Sequence, residues 1–159
     1  MKLRSIALLG VVLAACGDQG ERPATDEDPQ MTEVATSYAS ELGVDIDAMQ
    51  RTSSGLYILD VQQGSGDAVQ TGNTAVVHYT GYLPDGTEFD SSRDREPFEV
   101  NVGAGRVIDG WEEGLVGMQP GGQRRLVIPS HLAYGPRGAG GVIPPNATLV
   151  FDIELLEVR

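Results

Sequence analysis

The sequence predicts an α+β domain in which a twisted antiparallel β-sheet wraps around one short central α-helix. Within residues 107–115, Val107, Trp111 and Leu115 recur at i, i+4 and i+8, which is the spacing of one helix face. Runs rich in Val, Ile, Phe and Tyr flank this segment, with turn residues between them. A helix this short is unstable alone, so the strands are expected to cover it. Trp111, the only tryptophan, either fills the core or forms the floor of a pocket.

The strands are predicted from β-branched and aromatic runs that end at turn residues. A Pro-Asp-Gly turn at residues 84–86 separates two of them, and a loop rich in Gly and Pro spans residues 130–146. No internal repeat is present. The predicted strands cover residues 56–61, 74–82, 87–91, 97–102, 124–129 and 148–158.

Residues 1–15 have the pattern of a signal peptide. Lys2 and Arg4 precede a short apolar run that is too short to span a bilayer in the mature protein. Residues 13–16, Leu-Ala-Ala-Cys, are typical of a bacterial lipobox, and Cys16 is the only cysteine in the chain. We therefore expect Cys16 to be lipidated and to anchor the protein stably to a membrane. The alternative is a plain signal peptide followed by an incidental cysteine.

Three further segments follow the signal peptide. Residues 16–30 are acidic and contain proline, as expected of an extended, flexible tether behind the lipidated cysteine. Residues 31–53 are predicted to be a short helical extension, with a helix over residues 32–42 that ends at Gly43. Residues 54–159 form the main domain. The expected location is the bacterial cell envelope, on its periplasmic or extracellular face.

The sequence gives only a weak indication of whether the anchor lies in the inner or the outer membrane. Gly17 follows Cys16, where an Asp would retain a lipoprotein in the inner membrane of enteric bacteria, so the outer membrane is favoured if the source is Gram-negative.

Composition excludes several other classes of function. The formal net charge of −12 disfavours nucleic acid and anionic lipid as partners, so membrane contact is expected only through the anchor. One Cys and two His argue against a disulfide and a zinc site, and no cofactor or metal is predicted. The chain is expected to be a monomer because it lacks a long N-terminal helical arm.

Four motifs together resemble the FKBP-type peptidyl-prolyl cis/trans isomerases, the tacrolimus-binding immunophilins. They are VVHYTG at residues 76–81, FDSSR at 89–93, VIDGWEEG at 107–114 and IPPNATLVF at 143–151. The resemblance covers residues 54–159, and the whole chain is similar to the bacterial lipoprotein members. It implies rotation of Xaa-Pro bonds in extracytoplasmic folding proteins, with macrolides such as tacrolimus as inhibitors.

The resemblance also implies an apolar pocket. Trp111 would form its floor, the Ile108 N–H and the Tyr134 hydroxyl would bind ligand carbonyls, and Arg95 would pair with Asp90. Ala139 stands where many members have His, which bears on macrolide affinity. The implied catalytic residues are Tyr79, Phe89, Asp90, Trp111, Tyr134 and Phe151, and the implied substrate-binding residues are Arg95, Phe98, Val107, Ile108, Val142 and Ile143.

Isomerisation by such a pocket needs no covalent step. The rotation barrier is ~18–20 kcal/mol because amide resonance must be broken. The twisted amide carries less negative charge on its carbonyl oxygen, so an apolar cavity favours it over the planar form. Asp90 either interacts with the twisted carbonyl or only holds Arg95 and Tyr79. Tyr134 either contacts the ligand or packs the loop.

Two other classes of function remain to be weighed. A binding module would use the same pocket as a chaperone without meaningful catalysis. A hydrolase lacks a Ser, His and Asp set that the sequence places in one site. His78 alternates with pocket residues and is expected at the surface, and His131 has no partner evident from the sequence.

Overall fold

The structure, a computed structural model, describes Val34, Ala35 and residues 37–159. The predicted signal peptide, Cys16, the tether and the start of the predicted N-terminal helix lie outside the described residues. No helix in the described part is long and apolar enough to cross a membrane. The strands are β1 (Gln50–Arg51), β2 (Tyr57–Gln62), β3 (Thr74–Tyr82), β4 (Glu88–Ser91), β5 (Phe98–Asn101), β6 (Gln123–Ile128) and β7 (Leu149–Val158), with helix α1 (Asp109–Gly114) between β5 and β6.

All strands belong to one antiparallel sheet, which confirms the predicted fold class. Its order is β1-β2-β6-β7-β3-β4, and β5 also pairs with β3. The first half of β3 pairs with β5 and the second half with β4, so these two short strands share one edge. The six predicted strands are present, each within about one residue of its predicted ends, whereas the two-residue β1 was not predicted.

Side chains alternate between the two faces of the sheet. In β7, Leu149, Phe151, Ile153 and Leu155 are buried in the main core, where Trp111 and Leu115 also pack. Val150 points to the opposite face, where it joins a second apolar cluster. This period of two is the pattern that predicted the strand.

Helix α1 lies unusually close to β6 because two of its residues are glycines. A Cβ on Gly110 would lie 2.4 Å from a methyl carbon of Ile128, and one on Gly114 would lie 2.4 Å from a methyl carbon of Leu126. The helix is shorter than the predicted residues 107–115, and Ile108 is its N-cap. The close approach brings the face that carries Trp111 into the concave side of the sheet.

The N-terminal extension covers the outer face of the sheet. Buried Leu42 and Met49 pack against Val127 of β6 and Val150 of β7. The backbone N–H groups along the extension bond to distant parts of the domain. That of Ala35 donates to the Thr148 hydroxyl at 2.9 Å, and that of Ala39 donates to the Pro84 carbonyl at 2.7 Å.

The predicted helix over residues 32–42 is therefore wrong for most of its described length. Only a 3-10 turn, Ser40–Leu42, forms there, and a second follows at Ile46–Ala48. One reason is that the Ala39 N–H, which an α-helix over these residues would use internally, is taken by the Pro84 carbonyl. Gly43 does end the first turn in the left-handed conformation, with φ of 56°, as the sequence predicted.

Candidate active site

Three neighbouring strands bring aromatic side chains together around Gly81 of β3. Gly81 pairs with Asp90 of β4 on one side and Phe151 of β7 on the other. A Cβ at Gly81 would lie 2.6 Å from the ring of Phe89 and 2.8 Å from that of Phe151. The missing side chain lets these two rings meet edge to face, with centroids 5.5 Å apart.

The aromatic rings line a cleft of about 490 Å³, which is here called the aromatic cleft. Its walls come from β3, β4, β5, β7, the segment before α1, the helix itself and the loop after β6. The lining residues are Tyr79, Phe89, Asp90, Phe98, Gly105, Arg106, Val107, Ile108, Trp111, Tyr134 and Phe151.

Trp111 belongs to the main core and also lines the aromatic cleft. Only 4% of the residue is exposed. Its ring lies edge to face with Tyr79 at 5.0 Å, Phe151 at 5.3 Å and Phe98 at 6.1 Å between centroids. The indole N–H is buried and has no hydrogen-bond partner within the described part of the chain. The result is a rigid apolar surface suited to a flat ring.

Asp90 is held by donors on both carboxylate oxygens. The Tyr79 hydroxyl donates to Oδ2 at 2.5 Å. Oδ1 accepts two hydrogen bonds, one from the Arg95 guanidinium at 2.5 Å and one from the Ser91 N–H at 3.0 Å. Burial, and then the hydrogen bond to Asp90, raises the pKa of Tyr79 to about 12, so the phenol stays protonated and keeps donating at neutral pH. This network contains the predicted pairing of Arg95 with Asp90.

Two polar groups in the cleft wall are free to bind a ligand. Neither the Ile108 N–H nor the Tyr134 hydroxyl has a hydrogen-bond partner among the residues described by the structure. Tyr134 is 42% exposed, which does not fit a residue that only packs its loop. The turn before Ile108 is fixed by Glu112, whose carboxylate accepts the N–H groups of Gly103 and Gly105.

The predicted site residues fall into three groups. Nine of them line the aromatic cleft, and Arg95 lies behind it as the partner of Asp90. Val142 and Ile143 do not line it. Val142 is 54% exposed, while Ile143 is buried in the main core. A backbone bridge between Ala139 and Ile143 turns the loop this way, and residue spacing could not show it.

Sequence reasoning missed Gly105 and Arg106 in the cleft wall. Their only signal was their position next to Val107, because neither residue type is typical of an apolar pocket.

A larger cleft of about 770 Å³ lies between the extension, the β3–β4 turn and the loop after β6. Its lining includes Val34, Pro84, His131 and Asn146, and no aromatic side chain other than the histidine ring. The aromatic cleft is the better candidate because it combines apolar rings with free, convergent polar groups.

The two histidines do not form a catalytic set. His131, for which the sequence shows no evident partner, has its Nε2 2.8 Å from the backbone oxygen of Ser54. The Ser54 hydroxyl donates to Glu113 at 2.6 Å and not to the imidazole, which leaves no base on the hydroxyl. His78 is half-buried, lies 3.1 Å from the Ser92 hydroxyl and stays outside the aromatic cleft.

Comparisons with known proteins agree with this geometry. A family model described as FKBP-type peptidyl-prolyl cis-trans isomerase matches residues 66–156. An FK506-binding protein of Neisseria meningitidis serogroup B is 55% identical over 105 residues, or 65% of this chain and 96% of that protein. The crystal structure of FkpA from Escherichia coli is 44% identical with a TM-score of 0.66, covering 76% of this chain and 55% of that one. A peptidyl-prolyl cis-trans isomerase from Pseudomonas syringae pv. tomato is 38% identical with a TM-score of 0.64, covering 70% and 81%.

Proposed function

The chain belongs to the FKBP-type peptidyl-prolyl cis-trans isomerases, and we propose that its aromatic cleft rotates Xaa-Pro bonds in proteins that fold outside the cytoplasm. The observation that carries the proposal is the combination of an aromatic floor with two free polar groups, the Ile108 N–H and the Tyr134 hydroxyl. The client class is unfolded or partly folded polypeptide, because the cleft is open enough to admit a chain segment around a proline.

The mechanism follows from differential binding. The prolyl ring packs on Trp111, and the two free donors hold carbonyls of the flanking backbone. Rotation removes amide resonance and reduces the negative charge on the rotating carbonyl, so the twisted form suits an apolar cavity better than the planar form. No proton transfer or covalent bond is needed. Each factor of ten in rate requires only ~1.4 kcal/mol.

Asp90 takes a positioning role in this mechanism. Its oxygens are already occupied by Tyr79, Arg95 and Ser91, so it holds the Tyr79 ring in the wall and neutralises Arg95. A carboxylate that approached the rotating carbonyl would have to give up these bonds.

The Tyr134 hydroxyl gives the most direct test of this site. Tyr134→Phe removes one hydrogen bond and leaves the ring, so kcat/KM on an Xaa-Pro peptide should fall by about two- to tenfold. Tyr57→Phe is the matched control, because Tyr57 packs on the outer face of the sheet. Equal activity of the two variants would show that the Tyr134 hydroxyl does not bind the substrate.

The N-terminal sequence supports a lipid anchor at Cys16 and a location in the bacterial envelope. The acidic, proline-containing residues 16–30 would hold the domain away from anionic headgroups. Wild-type protein should incorporate labelled palmitate and sediment with membranes, and Cys16→Ala should do neither. Absence of label on the wild type would mean that residues 1–15 are an ordinary signal peptide and that Cys16 is an incidental cysteine.

A macrolide of the tacrolimus type is the proposed inhibitor, since relatives bear the name FK506-binding protein. Such a ligand would occupy the aromatic cleft in place of the proline. Ala139 in the neighbouring loop is held by its bridge to Ile143 and offers no side-chain hydrogen bond at the rim. Affinity would then depend on the cleft itself, and titration calorimetry measures it directly.

A further inference from the structure

Arg106 gives the aromatic cleft a positive charge that the apolar mechanism does not use. It is exposed and lines the cleft beside Val107 and Ile108. No carboxylate among the described residues lies within ion-pair distance of its guanidinium. The feature stands out because the chain carries a formal net charge of −12.

Most other arginines of the described part are already engaged. Arg51 lies over the ring of Tyr57, 5.8 Å from its centroid. Arg137 of the loop after β6 has no ion pair among the described residues, but it does not line the cleft. The arginines in ion pairs are Arg93, Arg95, Arg124, Arg125 and Arg159.

The charge of Arg106 is not cancelled inside the cleft. Asp90 is the only acidic residue in the lining, and Arg95 already pairs with it at 2.5 Å. Both carboxylate oxygens of Glu112 accept N–H groups of this turn, those of Gly103 and Gly105. The backbone under Arg106 is thereby held, while its guanidinium has no ion-pair partner among the described residues.

The position of Arg106 sets where this charge would act. It lies two residues before Ile108, whose free N–H is proposed to bind a substrate carbonyl. A peptide held at that N–H therefore passes the arginine within a few residues of its proline.

We propose that Arg106 is a specificity residue that favours substrates with an Asp or Glu side chain close to, but not next to, the isomerised proline. This deepens the proposed isomerase function and rests on it. Elsewhere the acidic surface repels acidic polypeptides, so Arg106 makes the catalytic cleft a local exception. An exposed ion pair of this kind is expected to change kcat/KM by about two- to fivefold at low salt.

The test compares peptide pairs that differ only in Glu against Gln, placed two residues before or two residues after the proline. The measured quantity is the ratio of kcat/KM for the Glu peptide to that for the Gln peptide in the full-length protein. At one of the two positions the wild-type ratio should exceed about two, and high salt should bring it to about one. Because each ratio is internal to one variant, changes in overall activity cancel.

Two substitutions and two controls complete the test. Arg106→Gln should bring the ratio to about one and Arg106→Glu should invert it, while Arg51→Gln and Arg137→Gln should leave it at the wild-type value. A wild-type ratio of one at both positions, or a ratio unchanged in Arg106→Glu, would overturn the assignment. The Gln peptide distinguishes the two proposals. If the protein isomerises it but the ratio of Glu to Gln peptide is one, only the proposed role of Arg106 is rejected. Failure to isomerise it at all removes the proposed function.

Discussion

At the scale of single residues, a substitution at Asp90 can distinguish a catalytic carboxylate from one that only positions its neighbours. Asp90→Asn keeps the shape of the side chain but loses its charge. We expect the free energy of unfolding to fall by about 1 kcal/mol, since the pair with Arg95 is partly exposed and screened. We expect kcat/KM to fall by less than about tenfold, because no carboxylate charge acts on the rotating bond. Unchanged stability together with a near-complete loss of isomerisation would instead make Asp90 catalytic.

Tyr38 and Tyr79 should titrate above the ordinary pKa of a tyrosine side chain. Burial raises the pKa of Tyr79 and of Tyr38 to about 12, from an ordinary value of 10.0. A raised folded-state pKa means that the folded protein holds the proton more tightly. This contribution to stability is therefore complete below pH 10 and is lost as the pH rises towards 12.

Ultraviolet absorbance titration checks this directly. Tyr38 and Tyr79 should ionise late and together with unfolding, and Tyr79→Phe should remove one of these two late ionisations. Ionisation of both phenols near pH 10 in a protein that stays folded would show that neither is held as described.

The resemblance to the FKBP-type isomerases located most of the cleft but not all of it. Tyr79, Phe89 and Trp111 were predicted from their motifs and do lie together. Ile143 was not placed correctly, because the Ala139 bridge that turns it into the core depends on loop geometry. Arg106 was missed because a charged residue next to an apolar motif gives no sign of which way it faces.

At the scale of elements, the glycines of α1 matter more than its helix propensity. Alanine is a better helix former than glycine by ~1 kcal/mol. A Cβ on Gly114 would nevertheless lie 2.4 Å from Leu126 Cδ1, so the helix would have to move away from β6. We expect Gly114→Ala to lower the free energy of unfolding by about 1–3 kcal/mol.

Urea unfolding measures this effect. Gly110→Ala should lower the free energy of unfolding by a similar amount, because its Cβ would clash with the Ile128 side chain. Asp109→Ala, on the exposed side, should change stability by less than about 1 kcal/mol. An increase in stability for both glycine variants would contradict the close packing of α1 on β6.

The elements differ in how well their sequences reveal them. β3 and β7 are long runs with a β-branched and aromatic bias, and both were predicted nearly to the residue. The conformation of the extension was not predicted, because its backbone hydrogen-bond partners are far away in the sequence. The Ala35 N–H reaches Thr148, 113 positions away, and a local pattern cannot reveal such a bond. Val34, Tyr38 and Leu42 recur every four residues, which also fits a helix, but in the structure they join one apolar cluster without forming an α-helix.

At the scale of the whole molecule, the sheet has two apolar faces, and the extension covers the outer one. Leu42→Ala should lower the free energy of unfolding by about 2 kcal/mol, because Leu42 is buried against the sheet. Leu156→Ala is the control, since Leu156 is 40% exposed and should cost less than about 0.5 kcal/mol. Both should retain isomerase activity while folded, because the aromatic cleft lies on the other face. A Leu42→Ala variant as stable as wild type would mean that the extension does not hold the sheet in solution.

The central claim is that the aromatic cleft of this chain speeds rotation of Xaa-Pro bonds. The measurement that tests it most directly is the cis-to-trans relaxation of a proline peptide, with and without tacrolimus. Residues 34–159 are the shortest suitable fragment, because they keep the extension on the sheet. We expect the protein to accelerate the relaxation, and we expect this acceleration to be lost when the drug fills the cleft. A folded protein that leaves the relaxation rate unchanged would contradict the claim and favour a binding module that uses the same cleft without catalysis.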